Sequence, residues 1–312
     1  MSYRPQAGLV DRPRSGTMLQ AGAEPCHVAS FDAVLNAADR ARCAHDVRGF
    51  SVAVVRFAGQ LGIADRERFL RRSATTFQSE FVPRFKENIR TGRSWAYATI
   101  CNQLSQESGG KAGQAACKSL GAQLSRLDTA LVKQIEFRAL ALFVAAFGRH
   151  PRAVECHEGA IRIAEFLEEE CESIQQLTSQ DLSLLVDGFS KWPDALIIRQ
   201  ATARIAEELL RTRRADRLSS FTYHQLTSLV DGLRKWREEP ACRRAAAAIA
   251  YEVSRRRHRL AVFTRQRWAN LVNGSGKWPE KADRRQPAAM VVTERPLSAD
   301  HPPLPGARAL PS

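Results

Sequence analysis

The chain has 312 residues, 44% of them apolar and 26% charged, the composition of a folded globular protein rather than a disordered one, at a length that suits one large or two ordinary domains. It contains no run of about 18 apolar residues, so no membrane-spanning helix is expected. Its formal charge of +14 favours acidic partners such as RNA, DNA or an anionic membrane face, and fits equally a solvated, arginine-rich helical surface.

Residues 1–30 carry Arg4, Arg12 and Arg14 among several Pro, Gly and Ser. They lack the apolar stretch of a cleaved Sec signal, so an unstructured leader is predicted and, for any export, a route other than Sec. Residues 31–134 are expected to be helical, because strong helix formers dominate and strand formers do not alternate. Within them, 31–60 and 66–97 read as helices without a clear period. The segment TICNQLSQESGGKAGQAACKSL reads as a decayed copy of the repeat that follows, with Asn102 near the place of Asp187. Gly109-Gly110-Lys111 lacks the first glycine of a phosphate loop and is read as a turn.

From 135 to 280 the sequence repeats. LLVDGFSKWPD ends at Asp194, SLVDGLRKWRE at Glu238 and NLVNGSGKWPE at Glu280, which sets Trp192, Trp236 and Trp278 at separations of 44 and 42 residues. One period earlier stands LFVAAFGRHPR, with Pro151 42 residues before Pro193 and His150 in the tryptophan position. Upstream of each signature comes an apolar residue, then usually Thr: Ile135 (followed by Glu136), Leu177-Thr178, Phe221-Thr222 and Phe263-Thr264. Thr there is expected to cap a helix and its apolar neighbour to staple it. Leu182, Leu185 and Val186 recur as Leu226, Leu229 and Val230, then as Trp268, Leu271 and Val272, a spacing that shares one helix face. Downstream recur Ile163-Ala164, Ile205-Ala206 and Ile249-Ala250. Each unit therefore reads as helix A, a tight corner and helix B, with a two-residue excess absorbed in the loop near RTRRADRLSS.

The corner residues have physical reasons to be there. Pro151, Pro193 and Pro279 end helix A and suit the first turn of helix B, where Asp194 and Glu238 would face the positive end of a helix dipole. Trp192, Trp236 and Trp278 are expected to fill the wedge between the two helices. Gly188, Gly232 and Gly274 lie one turn earlier, where a facing helix needs close approach. The expected fold is all-α, a stack of helical hairpins about 42 residues long. Residues 281–312, with Pro287, Pro296, Pro302, Pro303, Pro305 and Pro311, are expected to form a mostly disordered tail that stops the array in mid-unit. That implies a truncated or frame-altered product, or one fragment of a longer array.

Two basic rows are candidate binding residues. The inter-repeat loops place Arg213 and Arg214, and Arg255, Arg256 and Arg257, along one edge, whereas EEECE at 168–172 is acidic. The arginines suit phosphate or an acidic partner, and equally the C-terminal ends of helices. Lys191, Lys235 and Lys277 form a second row, either tracking phosphates or covering a neighbouring Trp with their stems. The seven cysteines are scattered without a CxxC pair, so neither a zinc site nor a disulfide framework is indicated and free thiols are expected. Cys156-His157 and Cys26-His27 are poor nucleophile or metal pairs, since adjacent helical residues point apart. No catalytic, metal or cofactor-binding residue and no small-molecule substrate is indicated, and the expected activity is binding rather than catalysis.

The signatures FSKWP, GLRKW and SGKWP in this helical period resemble the SKWP-repeat family of type III secreted effectors from plant-pathogenic bacteria. The resemblance covers residues 135–280, and the full Ser-Lys-Trp-Pro string occurs once, at Ser190 to Pro193. It implies a right-handed α-solenoid of armadillo- or HEAT-like repeats, synthesis in the bacterial cytoplasm and type III delivery into a host cell. It also implies binding of a host macromolecule, foremost a protein, with no established catalytic residues. Family members are typically much longer, in keeping with a truncated array. Phe-Thr followed by an apolar helix and a Trp corner also resembles octotricopeptide-type helical-hairpin repeats, which implies RNA as the alternative partner.

Overall fold

The structure, a computed structural model, describes residues 31–106, 110–211 and 218–255. The predicted leader and tail lie outside the described residues, as do Phe263, Thr264, Trp268, Leu271, Val272, Gly274, Lys277, Trp278, Pro279, Arg213, Arg214, Arg256 and Arg257. Among the described residues every regular element is helical, and no helix is long and apolar enough to cross a membrane.

The described chain opens with α1 (Phe31–Cys43) and α2 (Val47–Val52), the latter prolonged by a π turn and a 3-10 turn to Gln60. Next come α3 (Ile63–Thr76), a π turn and a 3-10 turn across Pro83, and α4 (Phe85–Arg90). Pro83 has no N–H to continue the helical ladder. Nearby, the carbonyl of Phe81 accepts the Tyr97 hydroxyl at 2.7 Å, and that hydroxyl accepts from Asn88 Nδ2 at 3.1 Å. Three helix pairs and one short turn make up most of the rest. These are α5 (Ser94–Gln106) with α6 (Gly110–Ser125), the one-turn α7 (Thr129–Val132), α8 (Phe137–Phe147) with α9 (Val154–Glu169), and α10 (Ser179–Phe189) with α11 (Leu196–Leu210). The described chain closes with α12 (Tyr223–Leu233) and α13 (Pro240–Arg255).

The first helix of each pair packs on the first helix of the next, α5 on α8, α8 on α10 and α10 on α12. The second helices do the same, α6 on α9, α9 on α11 and α11 on α13. At the N-terminal side α2 packs on α5 and α3 on α6. One core of buried side chains runs from Val34 to Val253, with Leu131, Val132, Ile135 and Ala139 carrying it across residues 134–135.

Local chemistry sets where the first helices begin. Thr178 Oγ1 accepts from the backbone N–H of Asp181 at 3.2 Å, and Asp181 Oδ2 accepts from the backbone N–H of Thr178 at 3.0 Å. Thr222 and Gln225 repeat this reciprocal cap at 3.3 and 2.8 Å. Leu177 and Phe221, just ahead of the caps, are buried. Glu136 occupies the same place before α8 without a side-chain cap. Replacing Thr222 with Ala is expected to lower stability by about 1 kcal/mol in a denaturant titration, the usual worth of such a cap.

The corner differs from expectation in one respect. Pro151 and Pro193 do not enter the first turn of the second helix, since α9 begins at Val154 and α11 at Leu196. Each sits second in a β-turn. His150 O accepts from Ala153 N at 3.0 Å, Trp192 O from Ala195 N at 3.3 Å and Trp236 O from Glu239 N at 2.9 Å. In the third of these turns Arg237 stands in the proline place with φ −59° and ψ −26°, the backbone that Pro favours there. Asp194 is accordingly a turn residue ahead of the helix. The proline that does start a second helix is Pro240.

Candidate interaction surface

The two described signature tryptophans are buried, Trp192 at 8% exposed and Trp236 at 3%. Each also reaches out of its own helix pair. Trp192 Nε1 donates to the carbonyl of Pro151 at 2.9 Å, and Trp236 Nε1 to that of Pro193 at 3.0 Å. Both of these indoles thus satisfy a carbonyl in the preceding corner. His157 on α9 stacks on Trp192 with ring centroids 5.5 Å apart. The ring therefore packs against the preceding helix pair.

The glycines one turn earlier hold the first helices close. A Cβ on Gly188 would stand 2.6 Å from the carbonyl oxygen of Val144, and one on Gly232 would stand 2.6 Å from Val186 Cγ1. Val144 and Val186 occupy one repeat position, so the same contact recurs from α8 to α10 and from α10 to α12.

This packing leaves the first helices one narrow outward stripe. Arg138 and Arg149 expose it at the two ends of α8, Gln180 and Lys191 at the ends of α10, and His224 and Lys235 at the ends of α12, with Asp187 and Asp231 half-buried beside them. The stripe is mixed in sign and partly tied down. Lys191 Nζ meets Asp187 Oδ1 at 3.1 Å and Arg234 Nε meets Asp231 Oδ1 at 2.7 Å. Arg149, at the lysine position of its unit, donates to Asn102 Oδ1 at 2.8 Å and to Ser105 Oγ at 2.7 Å on α5. The Arg138 guanidinium lies 4.5 Å from the centroid of the Trp95 ring, a distance at which cation and ring attract. The stem of Lys191 passes the preceding corner, its Cγ lying 3.2 Å from where a Cβ on Gly148 would be.

The second edge is more self-contained. Glu168, Glu169 and Glu170 meet Arg204, Thr129 and Lys133 at 3.6, 3.2 and 2.9 Å. Arg211 and Arg255 pair with Glu208 and Glu252 at 3.3 and 3.0 Å. Both glutamates are nearly buried at equivalent positions, 5% and 7% exposed. Each arginine therefore offsets a buried carboxylate on its own helix, a role that the recurring Glu-x-x-Arg could have signalled.

Compared with family models, curated proteins and solved structures, the chain matches none.

The remaining candidates separate from one another. Cys156 is buried against the core, and burial pushes its thiol up to about 12, while its neighbour His157 turns to Trp192. Among the described residues no group of three or more His, Cys, Asp or Glu is placed to hold a metal ion. A shallow cleft lined by Thr75, Gln78, Ser79, Ser119 and Gln123 presents hydroxyls and amides without an ionisable group. The residues that sequence reasoning missed are Arg149, which shares the lysine place, and its anchor Ser105. Asn102 was assigned only to a degenerate repeat.

Proposed function

We propose that the chain is a non-enzymatic scaffold, a type III secreted effector whose armadillo- or HEAT-like units of about 42 residues wind into a right-handed α-solenoid and bind a host protein along the stripe of the first helices. The observation that carries this is the pair of indole-to-proline bonds, Trp192 to Pro151 and Trp236 to Pro193. The same signature residue links one unit to the last at two successive corners, as a stacked array requires. A protein partner is favoured over a polyanion because Asp187 and Asp231 stand among Arg149, Lys191 and Lys235. Carboxylates in that row repel phosphate and complement a surface of mixed charge.

RNA is the second reading, favoured by the net charge of +14 and the arginine-rich loops. Full-length chain is used as bait in host-cell extract with and without nuclease, beside a variant carrying Arg149→Glu, Lys191→Glu and Lys235→Glu. The expected result is one protein captured with or without nuclease and lost from the variant. Capture that disappears with nuclease, together with RNA binding that weakens steeply as salt rises, replaces this reading with the second. Failure of residues 1–50, fused to a reporter, to be transferred by a type III system removes the effector assignment.

A further inference from the structure

Between α5 and α6 lies a pair of thiols that binding does not use. Cys101 on α5 and Cys117 on α6 are fully buried, and their sulfurs are 3.3 Å apart. Cys117 Sγ also lies 3.8 Å from the carbonyl oxygen of Cys101, so the two side chains face each other across the helix pair. Both are free cysteines in this structure. A sulfur–sulfur bond is about 2.05 Å long, so a closure of little more than an ångström separates this contact from a covalent one.

We propose that Cys101 and Cys117 are an oxidation site that hydrogen peroxide converts to an interhelical disulfide and a dithiol reductant restores.

The two sulfurs are unequal. The hydrogen bond with Cys101, followed by the nearby His150 and Arg149, lowers the pKa of Cys117 against the opposing effect of burial. Cys101 is raised, first by its bond to Cys117 and then by burial. In the proposed step Cys117 is the attacking sulfur, on the side where His150 and Arg149 favour a thiolate. Its thiolate attacks one peroxide oxygen, the O–O bond breaks, and the departing hydroxide takes up a proton as water, leaving a sulfenic acid on Cys117. Cys101 Sγ then attacks Cys117 Sγ. The S–S bond forms, the S–O bond breaks, and the leaving hydroxide combines with the Cys101 proton as a second water. Two thiols lose two electrons in total and one peroxide gains them. Cys156, whose thiol burial pushes up to about 12, stays protonated and does not compete.

The location gives the bond a consequence. Asn102 follows Cys101 directly and accepts from Arg149, whose other acceptor is Ser105 on the same helix. Drawing α5 toward α6 moves both anchors of the arginine that begins the exposed basic row. The redox state of a buried pair thereby reaches the proposed binding stripe, although the oxidation itself does not depend on what that stripe binds.

The test treats reduced full-length protein with hydrogen peroxide, unfolds it in N-ethylmaleimide and maps the peptides by mass spectrometry. The expected result is a Cys101–Cys117 linked peptide pair, with two of the seven thiols lost per chain and recovered after dithiothreitol. The Cys117→Ser variant should lose the link and leave Cys101 alkylated. The Cys156→Ser variant, which keeps the pair, should retain the link and covers the case in which the first variant does not fold. Alkylation of both Cys101 and Cys117 after peroxide, a link from Cys117 to Cys156, or terminal oxidation of Cys117 without any link would each overturn the proposal.

Discussion

Trp236→Ala is expected to destabilise the fold by about 3–5 kcal/mol, read from the midpoint and slope of a denaturant transition. The ring is 3% exposed, so its removal leaves a void at a corner where helix packing cannot easily collapse. The substitution also orphans the Pro193 carbonyl, which receives the indole N–H at 3.0 Å. Trp236→Phe separates the two contributions. It keeps a buried six-membered ring and loses the donor with the rest of the indole, for an expected cost of about 1–3 kcal/mol. A loss of only a few tenths in the alanine variant would mean that the indole lies on a binding face, and the account of the corner would fail with it.

Gly121→Ala is the second large effect, and its sign is informative. In an ordinary helix interior this change stabilises by about 1 kcal/mol. Here a Cβ on Gly121 would stand 2.4 Å from the carbonyl oxygen of Glu155 and 3.2 Å from Cys156 Cα. Those atoms are backbone of α9 and have no rotamer to yield. Gly159 faces the same crossing, with its own Cβ position 3.1 Å from Gly121 Cα. The helices must part or tilt, and the expected net result is a destabilisation of about 1–3 kcal/mol in spite of the better helix propensity. Gly59→Ala is the control. Its Cβ would meet nothing within 4 Å, and stability should stay within about 0.5 kcal/mol. Equal stability of the two variants would show that α6 and α9 are not in the register described.

Residues 135–255 are legible in the sequence because each signature position does one steric or hydrogen-bonding task that few residue types perform. Thr178 and Thr222 start helices, Gly188 and Gly232 admit a neighbouring backbone, and Trp192 and Trp236 fill and bond the corner. The pair α5–α6 is harder to see because residues 106–109 hold neither Trp nor Pro, so packing rather than a motif reveals it. The misplacement of Pro193 has a simple cause. The first position of a helix and the second of a β-turn both want φ near about −65°, and composition alone does not distinguish them. On the candidate surface, the lysine row is visible from spacing, but its continuation through Arg149 is not. The identity of the residue changes, and its partners Asn102 and Ser105 lie more than forty positions away in the chain.

The two indole bonds run in the same direction: Trp192 and Trp236 each donate to the corner before their own, and the Trp192 corner in turn offers the Pro193 carbonyl to Trp236. Such an assembly has a natural order of construction. As the polypeptide leaves the ribosome, the acceptors at Pro151 and Pro193 are made before the tryptophans that donate to them. Removing the hairpin of Trp236 takes away a donor and leaves the Trp192 bond to Pro151 in place, whereas removing the hairpin of Pro151 strands the Trp192 indole.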